Sequence, residues 1–312
     1  DAFKITYIPA LVALFTSICA ILSFFFFSYL GVKSKRARRA EEVSAFDKIV
    51  GNLSSSDNTV RLASAIMIRR FFNGKVQKSN LFLFQESANV ISSMLKVLPT
   101  GIFQKTMADG LAYAMDLSNM DLQKTNLQDV YLGRKDDKNI KVDSTDFYLA
   151  DLSYALLENL SGKAIFYRSI LFCTQIKNSD LSDSCFRDAD LTRVKFKNVL
   201  LKNADFTGAL HVPDKIKEKL DGKAKISQDY DSFAIQVTLT NKDSHGIFYL
   251  KYSDGFLDVQ PYDYFDNDAA VSLSYQTFLK LTDGRLSLDD AVSKGLAEIY
   301  GNRSAAAAIC GI

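Results

Sequence analysis

Apolar and polar residues follow four different patterns along this chain of 312 residues, and each predicts a different kind of element. From Ile5 to Val32 the chain is apolar without a break (ITYIPALVALFTSICAILSFFFFSYLGV), and no charge falls between Lys4 and Lys33. About 20 such residues suffice to cross a bilayer as a helix, and inside lipid the backbone must satisfy its own hydrogen bonds. The run predicts a single transmembrane helix within residues 1–33, with Pro9 near its start, where a missing N–H costs least. A secretory signal fits less well: the run is too long and no small-residue cleavage site follows it. Residues 34–114 then show helical spacing. Ser56 or Asp57 can cap a helix through Val60, Leu62, Ile66 and Ile68, which Asn73-Gly74 would close. Ser87–Val97 and Phe103–Met115 are two further amphipathic stretches, separated by Pro99 and Gly101.

The third pattern has a period of five, from about 115 to 210. Its central apolar positions are Leu117, Leu122, Leu127 and Leu132, then Phe147, Leu152 and Leu157. After a slip of one residue near Ser161-Gly162 they continue from Phe166 every five residues to Phe206. The position two before the centre is mostly small, as at Ala150, Ala164, Ser184 and Ala204. Neither a helix nor a strand has this period. A square coil does, with five residues per side and the central residue turned inward. One such coil cannot bury its own apolar column, so coils must stack, about 4.8 Å apart. The insert Lys135–Ser144 should loop out from one face.

Beyond Val212-Pro213 the pattern is that of an α+β unit over 211–312. Pro213–Leu220 reads as a helix. Ser232–Thr240 alternates, with Phe233, Ile235, Val237 and Leu239 on one face. Asn241–Gly246 is a turn, and Ile247–Tyr252 and Phe256–Gln260 flank a second turn at Ser253-Asp254-Gly255. Asp268–Ser274 is a strand, followed by a short helix ending at Gly284. A helix capped by Ser287, a strand over Leu296–Asn302 and a short Ala-rich helix complete the chain.

Two of these patterns resemble known families. The five-residue period looks like the pentapeptide-repeat family, with its A(D/N)LXX consensus. Sixteen repeats fit it, which implies about four coils of that family's right-handed quadrilateral β-helix. The stretch SSSDNTVRLASAIMIRRFF resembles a helical lead-in found ahead of such repeats, and its expected task is to cap the open end of the coil. The stretch DAAVSLSYQTFLKLTDGRLSLDDAVSKGLAEIYGN is similar to the sterol carrier protein two family, through Phe278, Leu281, Gly284, Leu286, Ala291, Gly295 and Gly301. That resemblance covers about 100 residues from 213 onward. It implies an apolar tunnel between sheet and helices for a sterol, a fatty acyl chain or another lipid. The candidate lining residues are Phe233, Ile235, Phe248, Leu250, Leu257, Val271, Phe278 and Leu281, which would form an ordinary core if no tunnel exists.

Composition and charge narrow the function. Hydrophobic residues make up 47% of the chain and there are four prolines, which excludes a mostly disordered chain. Lys+Arg is 38 against Asp+Glu at 36, so the sequence predicts no nucleic-acid partner. Some pentapeptide-repeat proteins imitate DNA with an acidic rod, but Leu117–Phe206 holds 13 acidic and 13 basic residues. A neutral, faceted rod suits protein docking better. His211 and His245 are the only histidines, and Cys19, Cys173, Cys185 and Cys310 form no CxxC pair, so no metal site is expected. Reduced thiols are. No nucleophile motif, Walker-type loop or GxGxxG occurs, so no enzyme and no catalytic residue are expected.

Lys33, Lys35, Arg36, Arg38 and Arg39 follow the apolar run, against Lys4 before it. The positive-inside rule then places the bulk of the chain on the matrix, stromal or cytoplasmic side. The membrane would be the inner membrane system of a mitochondrion or plastid, or a bacterial inner membrane. A start at Asp1 fits removal of an upstream segment. The expected protein is a membrane-anchored accessory or scaffold subunit of a respiratory or photosynthetic type of complex. Its expected partners are membrane-complex subunits and the lipid bilayer, and the only small molecule foreseen is a bound lipid. The alternative is an autonomous membrane-tethered lipid carrier.

Overall fold

The structure is a computed structural model that describes residues 2–134, 138–223, 230–240 and 246–312, with side chains from residue 20 onward. The chain opens with one helix, α1 (Ala2–Asn52), which runs through the basic cluster without interruption. Arg, Lys, Ala and Glu dominate residues 33–42 and all favour helix; Arg38 and Glu42 pair one turn apart at 3.2 Å. The expected membrane run Ile5–Val32 falls largely on residues whose side chains lie outside the described set. Among the described residues no helix is long and apolar enough to cross a membrane.

The end of α1 packs Phe46 and Ile49 into a helical cap formed by α2 (Asn58–Met67), α3 (Gly74–Ser79), α4 (Leu81–Val97) and α5 (Ile102–Ala108). Asp57 is the N-cap of α2, accepting from the amides of Thr59 and Val60. Asn73 does not close that helix as expected. The helix tightens into a 3-10 turn at Ile68–Arg70, and the Asn73 side chain instead caps α3, accepting from Lys75 N and Val76 N. An Asn followed by Gly suits either end of a helix, and here the next helix takes it. Stacked Phe72 and Phe84 rings, 4.7 Å apart, fill the cap.

The coil follows. Asp121 pairs with Asp146, Ile165, Cys185 and Asp205 in succession, and Asn126 with Asp151, Ile170, Asp190 and Leu210. The last two steps of each ladder are 20 residues, which is four sides of five. The first step is 25, so one side's worth of chain is inserted; the second is 19, which is the slip at Ser161-Gly162. Strands occupy the remaining faces: β1 (Tyr131–Leu132), β2 (Ile140–Lys141), β3 (Leu156–Glu158), β4 (Leu160–Ser161), β5 (Gln175–Asp180) and β6 (Lys195–Leu200), all paired in parallel. The insert is shorter than expected. Residues 135–137 lie outside the described set, but Ile140 and Val142 are fully buried and Val142 takes a central position. The reason is the period itself, since Val142 is five residues before Phe147.

Corners form in a repeated way. The residue two after nearly every centre has positive φ, from Asn119 and Lys124 to Asn203 and Gly208. The amide three after a centre commonly bonds back to its carbonyl, as Ala189 N to Phe186 O at 3.1 Å. That is a turn whose third residue must be left-handed. Asn and Asp tolerate this, which accounts for their frequency there. Inside, the rings of Phe147, Phe166, Phe186 and Phe206 stack with centroids 4.9, 4.8 and 5.0 Å apart.

The coil is closed at its start and partly covered at its far end. At the start, Asn126 N donates to Leu95 O, and Gln104 Nε2 donates to Asn126 O. Ser92 Oγ donates to Asp121 O, and Lys96 and Lys105 pair with Asp121 and Asp129. The helical region therefore supplies the partners that a missing coil would have supplied. At the far end is the α+β unit, a five-stranded sheet in the order β11-β10-β7-β8-β9. Its strands are β7 (Phe233–Leu239), β8 (Gly246–Ser253), β9 (Phe256–Gln260), β10 (Ala269–Leu273) and β11 (Ala297–Gly301). Helices α6 (Asp214–Leu220), α7 (Tyr275–Thr282), α8 (Leu288–Ser293) and α9 (Arg303–Ala307) complete it. The expected turn at Asn241–Gly246, with His245, falls mostly outside the described residues.

Strand β8 also extends the third face of the coil. Ile247 follows Leu210 in that ladder, with Ile247 N donating to Ala209 O at 2.9 Å and His211 N donating to Ile247 O at 3.1 Å. Gly246 makes this approach possible, because a Cβ there would lie 2.4 Å from the His211 carbonyl oxygen. Gly246→Ala is expected to cost about 1–3 kcal/mol and to speed hydrogen exchange at the Ile247 and His211 amides. Unchanged exchange there would show that the seam is held by other contacts.

Candidate functional site

Three regions were expected to carry function, and the structure places each differently. The eight candidate lipid residues do come together. Phe233, Ile235, Phe248, Leu250, Leu257 and Val271 lie on the sheet face turned toward the helices, and Phe278 and Leu281 of α7 pack onto them. Alternation puts them there: odd residues of β7 and even residues of β8 share one face of an antiparallel pair, with Ile235 opposite Leu250. All eight are at most 3% exposed. Phe248 and Phe278 meet edge to face with centroids 5.7 Å apart, where an open tunnel would need the space between them. The eight residues belong to one buried apolar cluster.

The opposite face of that sheet is polar. Tyr249 Oη donates to Asp258 Oδ2 at 2.7 Å, and its ring lies 5.0 Å from Tyr264 and 6.0 Å from Tyr262. Burial first, and then the bond to Asp258, push the Tyr249 hydroxyl well above the usual phenol range. Lys251 Nζ sits 5.5 Å over the Tyr264 ring.

The basic residues Lys33, Lys35, Arg36, Arg38 and Arg39 are all exposed on α1, directly after the apolar stretch from Ala20 to Val32. That stretch is exposed around its whole circumference: Phe24, Phe25, Phe26 and Phe27 keep 59–71% of their surface open.

The third region is the coil surface, which the sequence reading treated only as generic docking facets. Its third face carries an aromatic patch. Tyr148 and Tyr167 stack at 5.3 Å on one corner, and Tyr154 meets Phe172 at 5.5 Å on the next. Leu149, Tyr154 and Ile170 are exposed, Tyr154 at 61%. Arg168 lies 5.2 Å over Tyr167, and Arg193 lies 5.9 Å over Phe172. The period could have revealed this: Tyr148 and Tyr167 are the first residues after successive centres of one column, and so point outward one above the other.

His211 was expected to be merely the end of the coil. Counting the period onward from Leu171 and Leu191 puts it at an inward position, with Ala209 as the small residue two before it. Its ring continues the phenylalanine column, 4.7 Å from Phe206, and meets the edge of Phe196 at 6.0 Å. Burial drives its pKa down to about 4, so the ring is neutral at physiological pH. Thr192 Oγ1 donates to Pro261 O nearby, which ties the last coil to the sheet unit. Cys173, Cys185 and Cys310 are free and half-buried; the Cys19 side chain lies outside the described set.

With the geometry in place, comparison with known proteins supports the two resemblances. Residues 214–311 match the SCP-2 sterol transfer family, and residues 169–208 match pentapeptide repeats in eight copies. The chain therefore carries both pentapeptide repeats and an SCP-2 sterol transfer domain. Among solved structures it is similar to the pentapeptide repeat protein Rfr23 from the cyanobacterium Cyanothece 51142. There the identity is 23% over 30% of this chain and 62% of that one, with a TM-score of 0.27. It is also similar to HetL, a pentapeptide repeat protein involved in heterocyst differentiation regulation from Nostoc sp. strain PCC 7120. That match has 23% identity over 31% of this chain and 51% of that one, with a TM-score of 0.14. A third is the sec-alkylsulfatase Pisa1 from Pseudomonas sp., with 16% identity over 25% of this chain and 12% of that one and a TM-score of 0.24. The chain spans less than two thirds of the length of these proteins. No curated protein matches it.

Proposed function

We propose that this protein is a membrane-anchored, non-catalytic scaffold subunit that docks on a partner protein through the third face of its β-helix. The observation that carries this reading is the surface patch of exposed Leu149, Tyr154 and Ile170 with half-buried Tyr148, Tyr167 and Phe172, flanked by Arg168 and Arg193. Tyr, Phe and Arg are the residues that concentrate at protein interfaces. A patch set on a stacked coil is rigid, so little entropy is lost when it docks. The apolar, fully exposed helix from Ala20 to Val32 supports the membrane part, since such a surface requires lipid or partner helices around it. The adjoining basic cluster supports placing the bulk of the chain on the matrix, stromal or cytoplasmic side. The partner would be another subunit of the same membrane assembly.

The test is the size and composition of the particle that holds the full chain after native membranes are solubilised in mild detergent. Co-migration with a larger assembly is expected, together with release of the chain by Tyr154→Glu plus Ile170→Glu. Both side chains are exposed, so the variant's own fold should survive. A wild-type particle near the 34.8 kDa of one chain plus detergent would overturn the proposal.

A second reading, a tethered lipid carrier, is favoured by the match of residues 214–311 to a sterol transfer family. It requires the core around Phe248 and Phe278 to open. Stoichiometric lipid extracted from the purified full chain, and uptake of a labelled acyl chain after delipidation, would support it.

A further inference from the structure

The coil is capped unevenly at its C-terminal end. The sheet unit continues only the third face, through Leu210 and Ile247. On the fourth face β6 is the last strand; among the described residues it pairs with β5 on one side and with nothing on the other. The backbone groups along that side are therefore an open edge, which proteins usually cover, shorten or charge. The apolar interior is also open here. Ile176 is fully buried, whereas Phe196, its register partner one coil later, is only partly buried, as is the next centre, Leu201. A cleft of about 630 Å³ lies over this edge, between the coil and α6, with Val194, Phe196 and Val212 among the residues lining it.

The cleft is basic. Its lining includes Lys177, Arg193, Lys195, Lys197 and Lys217 against Asp214 and Glu218. That is a local excess of three positive charges on a chain whose total is +2. Lys217 is engaged by Val259 O and Gln260 Oε1 and lies 3.7 Å from Asp221. Lys177, Lys195 and Lys197 have no acidic partner among the described residues. Lys177 and Lys197 are direct register partners, and like charges opposed on neighbouring strands repel.

We propose that β6 is a docking edge for an extended segment of a partner protein with an acidic–apolar–acidic triplet. The register of β5 on β6 defines the triplet: Gln175, Ile176 and Lys177 stack on Lys195, Phe196 and Lys197, outward, inward and outward. A strand added beyond β6 would meet the same three positions. Its outward residues would lie about one strand spacing, ~4.8 Å, from Lys195 and Lys197, and its inward residue would cover Phe196. Backbone pairing would supply affinity, and the triplet specificity, as in other strand-addition complexes. This edge shares only Arg193 with the third-face patch and stands or falls without it.

The test is selection of binders to the full chain from a random peptide library. Enrichment of Asp/Glu–apolar–Asp/Glu peptides is expected, with slowed hydrogen exchange over residues 195–200 on binding. N-methylation of the peptide backbone at the triplet should weaken binding at least about tenfold, ~1.4 kcal/mol. Lys195→Glu plus Lys197→Glu, two exposed substitutions, should switch the selected outer positions to Lys or Arg. Selected peptides without acidic bias, an unchanged preference in the double variant, or exchange protection elsewhere would each overturn the proposal. So would failure to select any peptide, or displacement of the peptides by a fatty acid bound in the sheet core.

Discussion

Phe186→Ala is expected to destabilise the protein by about 3–5 kcal/mol, the range for removing a fully buried aromatic ring. Phe186 sits mid-column, stacked on Phe166 at 4.8 Å and on Phe206 at 5.0 Å, with Phe196 edge-on at 6.4 Å. The ring cannot be replaced by local collapse, because the coils above and below are held apart by backbone bonds such as Cys185 N to Ala164 O and Phe186 N to Asp205 O. In a stacked repeat each unit contacts only its neighbours. The loss should therefore fall at one level and split unfolding into two steps. The part beyond Phe186, including the sheet unit docked on Ile247, would melt first. Denaturant titration of the full chain with hydrogen exchange would show this. Tyr154→Ala, which removes an exposed ring two turns earlier in the β-helix, is the control and should cost much less. Equal losses for the two would mean that the column contributes little to stability.

His211 should make stability fall in acid. Its pKa is near 4 in the folded chain, against an ordinary 6.5 when unfolded. The unfolded state thus takes up a proton that the folded state refuses. The contribution is fully present above pH 6.5 and is lost as pH falls toward 4. At 1.36 kcal/mol per unit it amounts to at most about 3 kcal/mol. His211→Leu would extend the Leu171–Leu191 column by one residue. The expected result is that wild type loses more stability than His211→Leu between pH 7.5 and 4.5. His245 and the carboxylates are common to both proteins and cancel in the comparison. Equal losses would show that His211 is hydrated in the folded state.

Much of the candidate site was legible in the sequence. Alternation in β7 placed Phe233 and Ile235 on the apolar face, because a period of two leaves little choice of face once one face is apolar, and all eight candidate residues fall in one buried cluster. Whether those residues enclose space was not legible, since that depends on how closely Phe278 approaches Phe248. The third-face patch was legible in principle, through the outward positions beside each centre, but the period of five marks only the inward ones. The extent of the insert was misread because Ile140 and Val142 look like ordinary loop residues until the count back from Phe147 is made.

By itself the sequence determined the coil, because a five-residue period with mostly small residues two before the centres is compatible with neither helix nor strand. It also determined the order of elements in the sheet unit, where caps such as Ser274 and Ser287 and glycines such as Gly284 mark the boundaries locally. Only the tertiary structure decided how the units join. Ile247 continues the third face of the coil and leaves the fourth face open at β6, and His211 closes a phenylalanine column from a leucine position. These are contacts between residues far apart in the chain, and no local period records them. They depend on where two completed surfaces meet.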